Sequence, residues 1–324
     1  MSSKDKDTVD VHDSEITKVL VCGGLIDAAV PSKIYTVSDT TLGWNDGPQM
    51  AIHRYCHAAQ NIGGGDVFVC GGISTGKQLA DSMECEAYLA ETNEFKLLGC
   101  RLSIPRTRHA TARLPNGNVI IMCGASKDGT VYRTCEIFNP TTCSVFASNA
   151  THNENVFGGA ACTLPNGSVL FTGGCANKIN GHSQNAWVTS ETKIYDYRVD
   201  KLYNGDSMMY GRSNHTVTPV EDGAIVLGGD VYNPKDGCSL IEKYDYRMGK
   251  FLCVANLDCR KILSNHFAVR VGGGIDGTKS RVWFGGGLPG DGFASIGILD
   301  LNGSNLFATK NIFDNRRYAT ANVI

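Results

Sequence analysis

The sequence predicts an all-β protein in which six similar antiparallel sheets of four strands form a closed ring. Three observations predict it: a glycine-rich doublet that recurs about every fifty residues, a large side chain with an apolar partner seven positions later, and similar segments ahead of most doublets. Self-similarity at such a period is typical of repeat proteins. The spacing of apolar residues indicates strands and nowhere a helix.

The doublets end short apolar runs such as VLVCGG and VFVCGG. Their first residues are 48, 53, 49, 55 and 57 positions apart, which defines the period. In each repeat we name the strands a to d, and we predict that the doublet ends strand b. The doublets are Gly23-Gly24, Gly71-Gly72, Gly124-Ala125, Gly173-Gly174, Gly228-Gly229 and Gly285-Gly286.

Strand c follows each doublet after a gap of variable length and carries a large residue near its end. Seven positions beyond it stands another apolar side chain, and the intervening segments, such as NPTTCS and YRMGK, have the length of tight hairpins. Strands c and d are therefore predicted to pair. The residues concerned are Tyr35 with Leu42, Tyr88 with Phe95, Phe138 with Val145, Tyr195 with Leu202, Tyr244 with Phe251 and Leu299 with Leu306.

Strand a precedes the doublet strand and opens with Arg-x-x-His in several repeats, as in RYCHAAQNI and RTRHATARL. The first doublet lacks such a segment, whereas residues 316–324 resemble one and have no doublet after them. A ring in which residues 316–324 complete the first sheet explains both ends. Closure also removes the unpaired strand edges that an open array would expose.

Together, the doublets, the Arg-x-x-His segments and the tyrosine-containing third strand resemble the kelch repeat, whose fold is a β-propeller with one four-stranded blade per repeat. The resemblance covers roughly residues 17–324. It implies a single six-bladed kelch-type propeller over residues 16–324, closed by the C-terminal strand, with residues 1–15 as a flexible tail. The tryptophan that kelch repeats usually carry in strand d is represented only by Trp44, so we expect the blades to pack less uniformly.

Composition and charge argue against several classes of function. The chain has 30 basic and 32 acidic side chains and a formal net charge of −2, which argues against nucleic acid or an anionic membrane as the partner. It has no apolar run of bilayer-spanning length, and its N-terminal segment lacks the apolar core of a secretory signal. Because the 13 cysteines are odd in number, we expect free thiols and a cytoplasmic location.

Recurring cysteines and histidines are interpreted as packing residues. Cys22, Cys70 and Cys123 stand at similar places near three doublets, and Cys85 and Cys135 share a place in strand c; buried thiols of this kind are inert. A circle of imidazoles near the ring axis is the alternative, a transition-metal site, but no carboxylate recurs beside the histidines. We expect no metal and no cofactor. The histidines are His57, His109, His215 and His266.

The predicted binding site is an arginine set where strand d passes into strand a. The b–c loops emerge on the same face and vary most in length, and variable loops on a rigid scaffold are where recognition occurs. The longest b–c gap, from Cys175 to Lys193, contains Trp187 as an apolar anchor, with His182 and Asn185. The alternative is that the guanidinium groups brace neighbouring blades. The predicted partner-binding residues are Arg54, Arg106, Arg108, Arg212, Arg316, Arg317 and Trp187.

We expect a non-catalytic protein–protein interaction module: an adaptor or scaffold subunit that docks through this face into a larger assembly, a cytoskeletal one among the candidates. The expected partner is a protein with an acidic segment, because arginine forks bind carboxylates bidentately. The alternative is a small-molecule enzyme in the central pocket, similar to the sialic-acid mutarotases or copper-radical oxidases among kelch-like propellers; no catalytic residues are assigned. A deep axial pocket with convergent carboxylate, arginine and histidine would favour the enzyme.

Overall fold

A computed structural model describes residues 17–25, 32–37, 42–76, 79–177, 187–231, 239–257, 264–272, 281–287, 296–300, 306–309 and 316–324. Within these ranges every regular element is a β-strand, so the predicted all-β class is confirmed. None of the described residues belongs to a helix long and apolar enough to cross a membrane. The predicted tail, residues 1–15, lies outside the described residues.

The strands are short and follow one another closely along the chain. The first half comprises β1 Thr17–Cys22, β2 Lys33–Val37, β3 Leu42–Asp46, β4 Arg54–Tyr55, β5 Ala58–Gly63, β6 Asp66–Cys70, β7 Ile73–Ser74, β8 Ala80–Asp81, β9 Glu84–Leu89, β10 Glu94–Arg101, β11 Ala110–Arg113, β12 Val119–Met122, β13 Thr134–Asn139, β14 Ser144–Thr151, β15 Asn155–Phe157 and β16 Ala160–Thr163. The second half comprises β17 Val169–Thr172, β18 Cys175–Asn177, β19 Trp187–Val188, β20 Thr192–Asp196, β21 Lys201–Asn204, β22 Arg212–Ser213, β23 Thr216–Val220, β24 Gly223–Leu227, β25 Asp230–Val231, β26 Ser239–Asp245, β27 Lys250–Leu257, β28 Phe267–Val271, β29 Arg281–Gly285, β30 Ile296–Asp300, β31 Leu306–Thr309 and β32 Thr320–Val323.

The principal sheets of the described part are antiparallel and have four strands each. Five of them keep their strands in chain order, and the remaining one adds the last strand of the chain to β1, β2 and β3. In each sheet the spatial order matches the predicted order a to d. They are sheet 1 (β32, β1, β2, β3), sheet 2 (β5, β6, β9, β10), sheet 3 (β11, β12, β13, β14), sheet 4 (β16, β17, β20, β21), sheet 5 (β23, β24, β26, β27) and sheet 6 (β28, β29, β30, β31).

The a strands of these sheets contact one another in a cycle. β5 contacts β11, β11 contacts β16, and the contacts continue through β23 and β28 to β32, which contacts β5 again. β32 completes sheet 1 by pairing with β1, with Thr320 opposite Cys22 and Val323 opposite Val19. The predicted pairing of the C-terminal strand with the first sheet is therefore present.

The hydrophobic clusters lie between neighbouring sheets. Sheets 2 and 3 meet at the stacked rings of Phe68 and Phe138, whose centres are 3.9 Å apart. Sheets 6 and 1 meet where the ring of Trp283 lies 5.0 Å from that of Tyr35. Other clusters join sheets 1 and 2, 3 and 4, 4 and 5, and 5 and 6. Burial of apolar side chains between sheets thus follows the same cycle as the a strands.

The c–d hairpins confirm five of the six predicted residue pairs. In sheets 2 to 6 the large residue of strand c lies directly opposite the apolar residue seven positions later, as Tyr88 lies opposite Phe95. Sheet 1 is the exception. There Tyr35 lies opposite Trp44, and Leu42 pairs with Val37 instead. The last pair before the turn is five positions apart in sheet 1 as in sheet 2, Val37 with Leu42 and Leu89 with Glu94. Tyr35 therefore lies one position further from the turn than Tyr88 does, and Trp44 is its strand d partner.

Backbone torsion angles fix the register of the doublets. Two successive residues in every repeat have positive φ, the first between 54° and 71° and the second between 86° and 105°. In the third and sixth repeats these are Cys123-Gly124 and Gly286-Gly287, so the predicted doublets there are each one residue out of register. The second residue must be glycine because neighbouring backbone approaches it. A Cβ on Gly72 would lie 2.7 Å from a backbone oxygen.

The d–a passages and the b–c segments pair with each other on one side of the sheets, which confirms that they share a face. β4 pairs with β7, β15 with β18, and β22 with β25, while isolated bridges join Leu25 to Arg317 and Thr107 to Ala125. We call this side the upper face. The a–b and c–d hairpins form the lower face, as alternation of strand direction requires.

Candidate functional site

Four of the arginines that the sequence assigned to partner binding are buried beneath the upper face. Arg54, Arg106 and Arg212 are each 1% exposed, and Arg316 is 0% exposed. The first three form ion pairs with glutamates of strand c whose side chains are also buried. The pairs are Arg54 Nη2 to Glu86 Oε1 at 2.9 Å, Arg106 Nε to Glu136 Oε2 at 2.8 Å and Arg212 Nη2 to Glu242 Oε1 at 2.6 Å.

These arginines join neighbouring sheets through both side chain and main chain. The Arg106 guanidinium donates to the carbonyls of Cys123 at 2.6 Å and Thr134 at 2.9 Å in its own sheet. The carbonyl of Arg106 accepts from the N–H of Gly72 in sheet 2 at 2.8 Å. The equivalent contacts are Arg54 to the Gly71 carbonyl, Arg212 to the Gly228 carbonyl, Gly24 N–H to the Arg54 carbonyl and Gly174 N–H to the Arg212 carbonyl.

The structure corrects the predicted surface position of Arg54, Arg106, Arg212 and Arg316. A guanidinium group offers five donors in a planar fork, so it can satisfy a carboxylate and several carbonyls at once. For Arg54, Arg106 and Arg212 those acceptors lie inside the protein, and all four side chains are buried. Their geometry corresponds to the bracing role that the sequence left as the alternative.

Arg108, Arg317 and Trp187 lie at the surface of the upper face. Arg108 is half-buried, and its guanidinium carbon lies 5.9 Å from the ring centre of Phe157 and 5.4 Å from that of Tyr318. Arg317 is exposed, and Trp187 is 40% exposed on β19. Neither arginine has an acidic partner among the described residues. His182 and Asn185, which the sequence placed near Trp187, lie outside the described residues.

A collar of backbone hydrogen bonds surrounds the axis at the upper face. It consists of the residue just before the recurring histidine position in each repeat, and every collar residue has a φ between 51° and 69°. Five hydrogen bonds of 2.7–3.0 Å link the six collar residues in sequence, each from an N–H to the carbonyl of the preceding collar residue. The cavity at the collar is small, about 110 Å³. The collar residues are Cys56, Arg108, Gly158, Asn214, Asn265 and Tyr318.

The recurring histidines pack between sheets, and burial favours the neutral form of His57, His109 and His215. Burial, with the nearby Arg54 charge, lowers the pKa of His57 to about 3, and burial beside Arg106 does the same for His109. Burial also puts the pKa of His215 well below its usual value. Each Nε2 lies near a side chain of the preceding sheet, as His215 lies 2.7 Å from the Thr172 hydroxyl. Within the described part, no three metal-binding side chains converge on a metal-sized site.

The recurring cysteines are core residues, as the sequence predicted. Cys22, Cys70, Cys85 and Cys135 are each at most 2% exposed. Burial raises the pKa of Cys22 to about 11 and that of Cys70 and Cys135 to about 12, so these thiols stay protonated at neutral pH. Cys123 is also buried, although it holds the first doublet position rather than the place of Cys22 and Cys70.

A larger cavity of about 490 Å³ opens at the lower end of the axis and is lined by the a strands of all six sheets. Arg113 and Arg270 lie on opposite walls, because β11 and β28 are three places apart in the cycle of six. Arg270 pairs with Glu221, whereas Arg113 has no acidic partner among the described residues. Thr218 and Asn322 also line the cavity, and two of their atoms, Thr218 Oγ1 and Asn322 Nδ2, are buried without a hydrogen-bond partner in the described part.

Neither axial cavity brings a carboxylate, an arginine and a histidine together among its described lining residues. The upper cavity has Arg108 and four histidines but no carboxylate. The lower cavity has two arginines but neither a histidine nor a carboxylate. No protein-family model matches the chain, and no curated protein matches it either. Assignment to a family therefore depends on the repeats and their geometry.

Sequence reasoning missed the glutamates that neutralise the buried arginines. Glu86, Glu136 and Glu242 stand two residues before the large residue of strand c, in the same three repeats that carry both arginine and histidine. That joint occurrence was the available signal. It was overlooked because carboxylates were sought beside the histidines, whereas the partners lie about thirty positions away along the chain.

Proposed function

We propose that the protein is a six-bladed kelch-type β-propeller that acts as a non-catalytic interaction module. Its upper face binds a protein partner that presents an acidic segment. The module is a cytoplasmic adaptor or scaffold subunit that docks into a larger assembly, with a cytoskeletal assembly among the candidates. Free thiols at every described cysteine are compatible with a reducing compartment.

The propeller is supported by three features that share one order around the axis. The a strands contact one another in a cycle. The hydrophobic clusters join consecutive sheets, including the sixth and the first. Each repeat contributes one residue with a positive φ to the collar. Radial repetition of four-stranded sheets is the architecture of propellers.

Arg108 carries the binding proposal. It holds its charge at the centre of the upper face between two aromatic rings, without an acidic partner in the described part. Its φ of 51° places it in the left-handed region, which costs a non-glycine residue about 1–2 kcal/mol. The other collar residues share this backbone conformation, and the collar hydrogen bonds hold Arg108 in it. Arg317 and the exposed Trp187 lie on the same face and provide a second charge and an apolar anchor.

The test compares proteins captured from a lysate of the source cells by three forms of the full chain. Wild type and Arg113→Ala, which changes the lower face, are expected to retain the same acidic partner. Arg108→Ala combined with Arg317→Ala is expected to weaken its binding at least tenfold, about 1.4 kcal/mol, while leaving the unfolding midpoint unchanged. Binding should also weaken as salt rises, because exposed charges are screened.

A partner that binds the double variant at full strength, but is lost with Arg113→Ala, would overturn the upper-face site and place binding on the lower face. Loss of folding in the double variant would show instead that these two arginines are structural. Quantitative mass spectrometry of the captured proteins and thermal unfolding of each variant give both answers.

A second candidate function is binding of a small dianionic molecule in the lower cavity, which would be the starting point for a small-molecule activity. The volume of the lower cavity lies within the range of ligand pockets, about 300–1,000 Å³. The arginines on opposite walls suit one carboxylate each. Succinate, with succinamide as the neutral control, is the probe for calorimetry. Arg113→Ala should abolish succinate binding and Arg108→Ala should not; equal binding of the diamide would exclude this candidate.

A further inference from the structure

Two thiols approach each other across the boundary between sheets 2 and 3. Cys100 lies in β10, the outer strand of sheet 2, and Cys143 lies in the turn between β13 and β14 of sheet 3. Their sulfur atoms are 3.7 Å apart although the residues are 43 positions apart in the chain. Both side chains are half-buried, whereas most other described cysteines are buried. This pair can therefore meet a small solute.

A bulge in the outer strand turns Cys100 toward its neighbours. The pairing of β10 with β9 shifts register between Leu97 and Arg101, and Gly99 within this segment has a φ of 72°. An inserted residue with left-handed backbone bends a strand and redirects the side chains that follow. The bulge brings Cys100 beside Cys85 as well as Cys143.

Cys143 occupies a turn position at which other repeats have residues that tolerate positive φ. In the corresponding c–d turns this position is held by Asn93, Asp200 and Gly249, with φ of 53°, 51° and 67°. Asparagine, aspartate and glycine enter this region readily. Cysteine does not, yet Cys143 has a φ of 48°.

In two of the other turns, the residue at this position accepts a hydrogen bond from the tyrosine of strand c. The Asn93 side chain accepts a hydrogen bond from the hydroxyl of Tyr88 at 3.0 Å, and Asp200 accepts one from Tyr195 at 2.9 Å. The third repeat has Phe138 in place of that tyrosine, so no hydroxyl needs an acceptor. Cys143 points instead toward sheet 2, where its thiol donates to the Leu98 carbonyl at 3.0 Å.

The electrostatic environment differs between the two thiols. A hydrogen bond from the Cys85 thiol is the main cause that lowers the pKa of Cys100 to about 6, and Cys143 contributes a further hydrogen bond. Burial raises the pKa of Cys143, and its hydrogen bond to Cys100 acts in the same direction. The direction of these shifts favours the nucleophilic thiolate at Cys100 and the thiol at Cys143.

We propose that Cys100 and Cys143 form a peroxide-oxidised thiol pair whose disulfide links sheets 2 and 3. The Cys100 thiolate attacks one oxygen of a hydroperoxide, the O–O bond breaks, and Cys100 becomes a sulfenic acid while the released oxygen leaves as hydroxide or alkoxide. The Cys143 sulfur then attacks the Cys100 sulfur. An S–S bond forms, the S–O bond breaks, and water leaves with the Cys143 proton. The two thiols together lose two electrons, and a dithiol reductant reverses the reaction.

The full chain, reduced and desalted, is treated with one equivalent of hydrogen peroxide, alkylated and mapped without reduction. We expect one dominant cross-linked peptide pair, joining Cys100 to Cys143. The Cys143→Gly variant, which has the residue of the fifth repeat at this turn, should fold normally and lose the cross-link. Cys253→Ser, at the exposed described cysteine, serves as the matched control and should retain it. Oxidation should raise the unfolding midpoint of wild type by about 5 °C and leave Cys143→Gly unchanged.

The wild-type peptide map decides the proposal even if a variant fails to fold. A Cys85–Cys100 disulfide would overturn it, since both residues belong to sheet 2. Oxidation of Cys253 as fast as Cys100, or sulfinic acid at Cys100 without a cross-link, would also overturn it. Either result would mean that the 3.7 Å approach of the two sulfurs is only a packing contact.

Discussion

Repeat four differs from repeats two, three and five at three equivalent positions where neighbouring sheets meet. Those three repeats have an arginine in the d–a passage, a glutamate in strand c and a histidine before strand a, as with Arg106, Glu136 and His109. Repeat four has Val156, Lys193 and Gly159 at these positions. All three polar residues are thus replaced together.

Apolar packing takes the place of the arginine and the histidine in repeat four. Lys193, at the glutamate position, is buried and donates to Asn204 Oδ1 at 2.7 Å, and its Nζ lies 3.5 Å from Glu191 Oε2. Val156 is 0% exposed, and the Phe171 ring fills the space beside Gly159, where a Cβ would lie 2.6 Å from it. The ring of His152 lies 5.6 Å from that of Phe171. Yet the Val156 carbonyl still accepts a hydrogen bond, at 2.8 Å, from a glycine of the preceding sheet.

The main-chain hydrogen bond between neighbouring sheets is present in repeat four as well as in repeats two, three and five. The arginine–glutamate ion pair, in contrast, is either present with both members or absent with both. Replacing both members of a buried pair with apolar residues is often tolerated, while removing one leaves an uncompensated charge. The three predictions that follow test this difference.

The largest effect is expected for Arg106→Ala. Glu136 is 2% exposed and would lose its cationic partner, while the Cys123 and Thr134 carbonyls would lose their donor. Breaking a buried pair in this way costs about 3–5 kcal/mol, and we expect that decrease in the free energy of unfolding. Urea denaturation followed by circular dichroism measures it.

Arg113→Ala is the matched control, since this arginine is exposed and has no acidic partner in the described part. It should change the free energy of unfolding by less than about 0.5 kcal/mol. An Arg106→Ala protein as stable as this control would refute the bracing role and reopen Arg106 as a binding residue.

Much of the fold could be predicted because its signals are local. A doublet that ends an apolar strand, and a hairpin of constant length, can be recognised within ten residues, and the C-terminal strand could be placed by elimination. The doublet register failed at Cys123, because a cysteine in the left-handed region leaves no compositional signal. The burial of the Arg106 side chain could not be predicted from its own segment, since the direction of that side chain depends on Glu136, thirty positions away. Arg113 and Arg270 line the same cavity although they are 157 positions apart in the chain, so their placement depends on how the sheets contact one another.

A smaller loss is expected when both members of the pair are replaced together, since repeat four also lacks both of them. Arg106→Met combined with Glu136→Leu removes both charges and retains most of the buried volume. We expect the double variant to lose about 2 kcal/mol, less than either single variant, because only the neutral hydrogen bonds to backbone are lost. A double-mutant cycle in urea measures the coupling. Additive losses would show that the two side chains act independently, contrary to the comparison.

The smallest effect at neutral pH concerns the histidine that repeat four lacks. The folded-state pKa values of His57 and His109 are both about 3, against about 6.5 for an unperturbed histidine. Because these folded values are lowered, the unfolded chain binds more protons below pH 6.5. Stability that is present above pH 6.5 is therefore lost as the pH falls toward 3.

Each such histidine should contribute a slope of about 1.4 kcal/mol per pH unit between these limits. His109→Gln should accordingly reduce the slope of the free energy of unfolding between pH 6 and 4 by about that amount, relative to wild type at the same salt. His109 Nε2 lies 3.4 Å from the Cys70 sulfur, and glutamine keeps a neutral amide donor on a side chain of similar length, so we expect a modest loss of stability at pH 7.5. An unchanged slope would mean that His109 is protonated in the folded protein. The imidazoles would then be charged groups near the axis, and the polar repeats would differ from repeat four in charge at the collar as well as in their buried ion pairs.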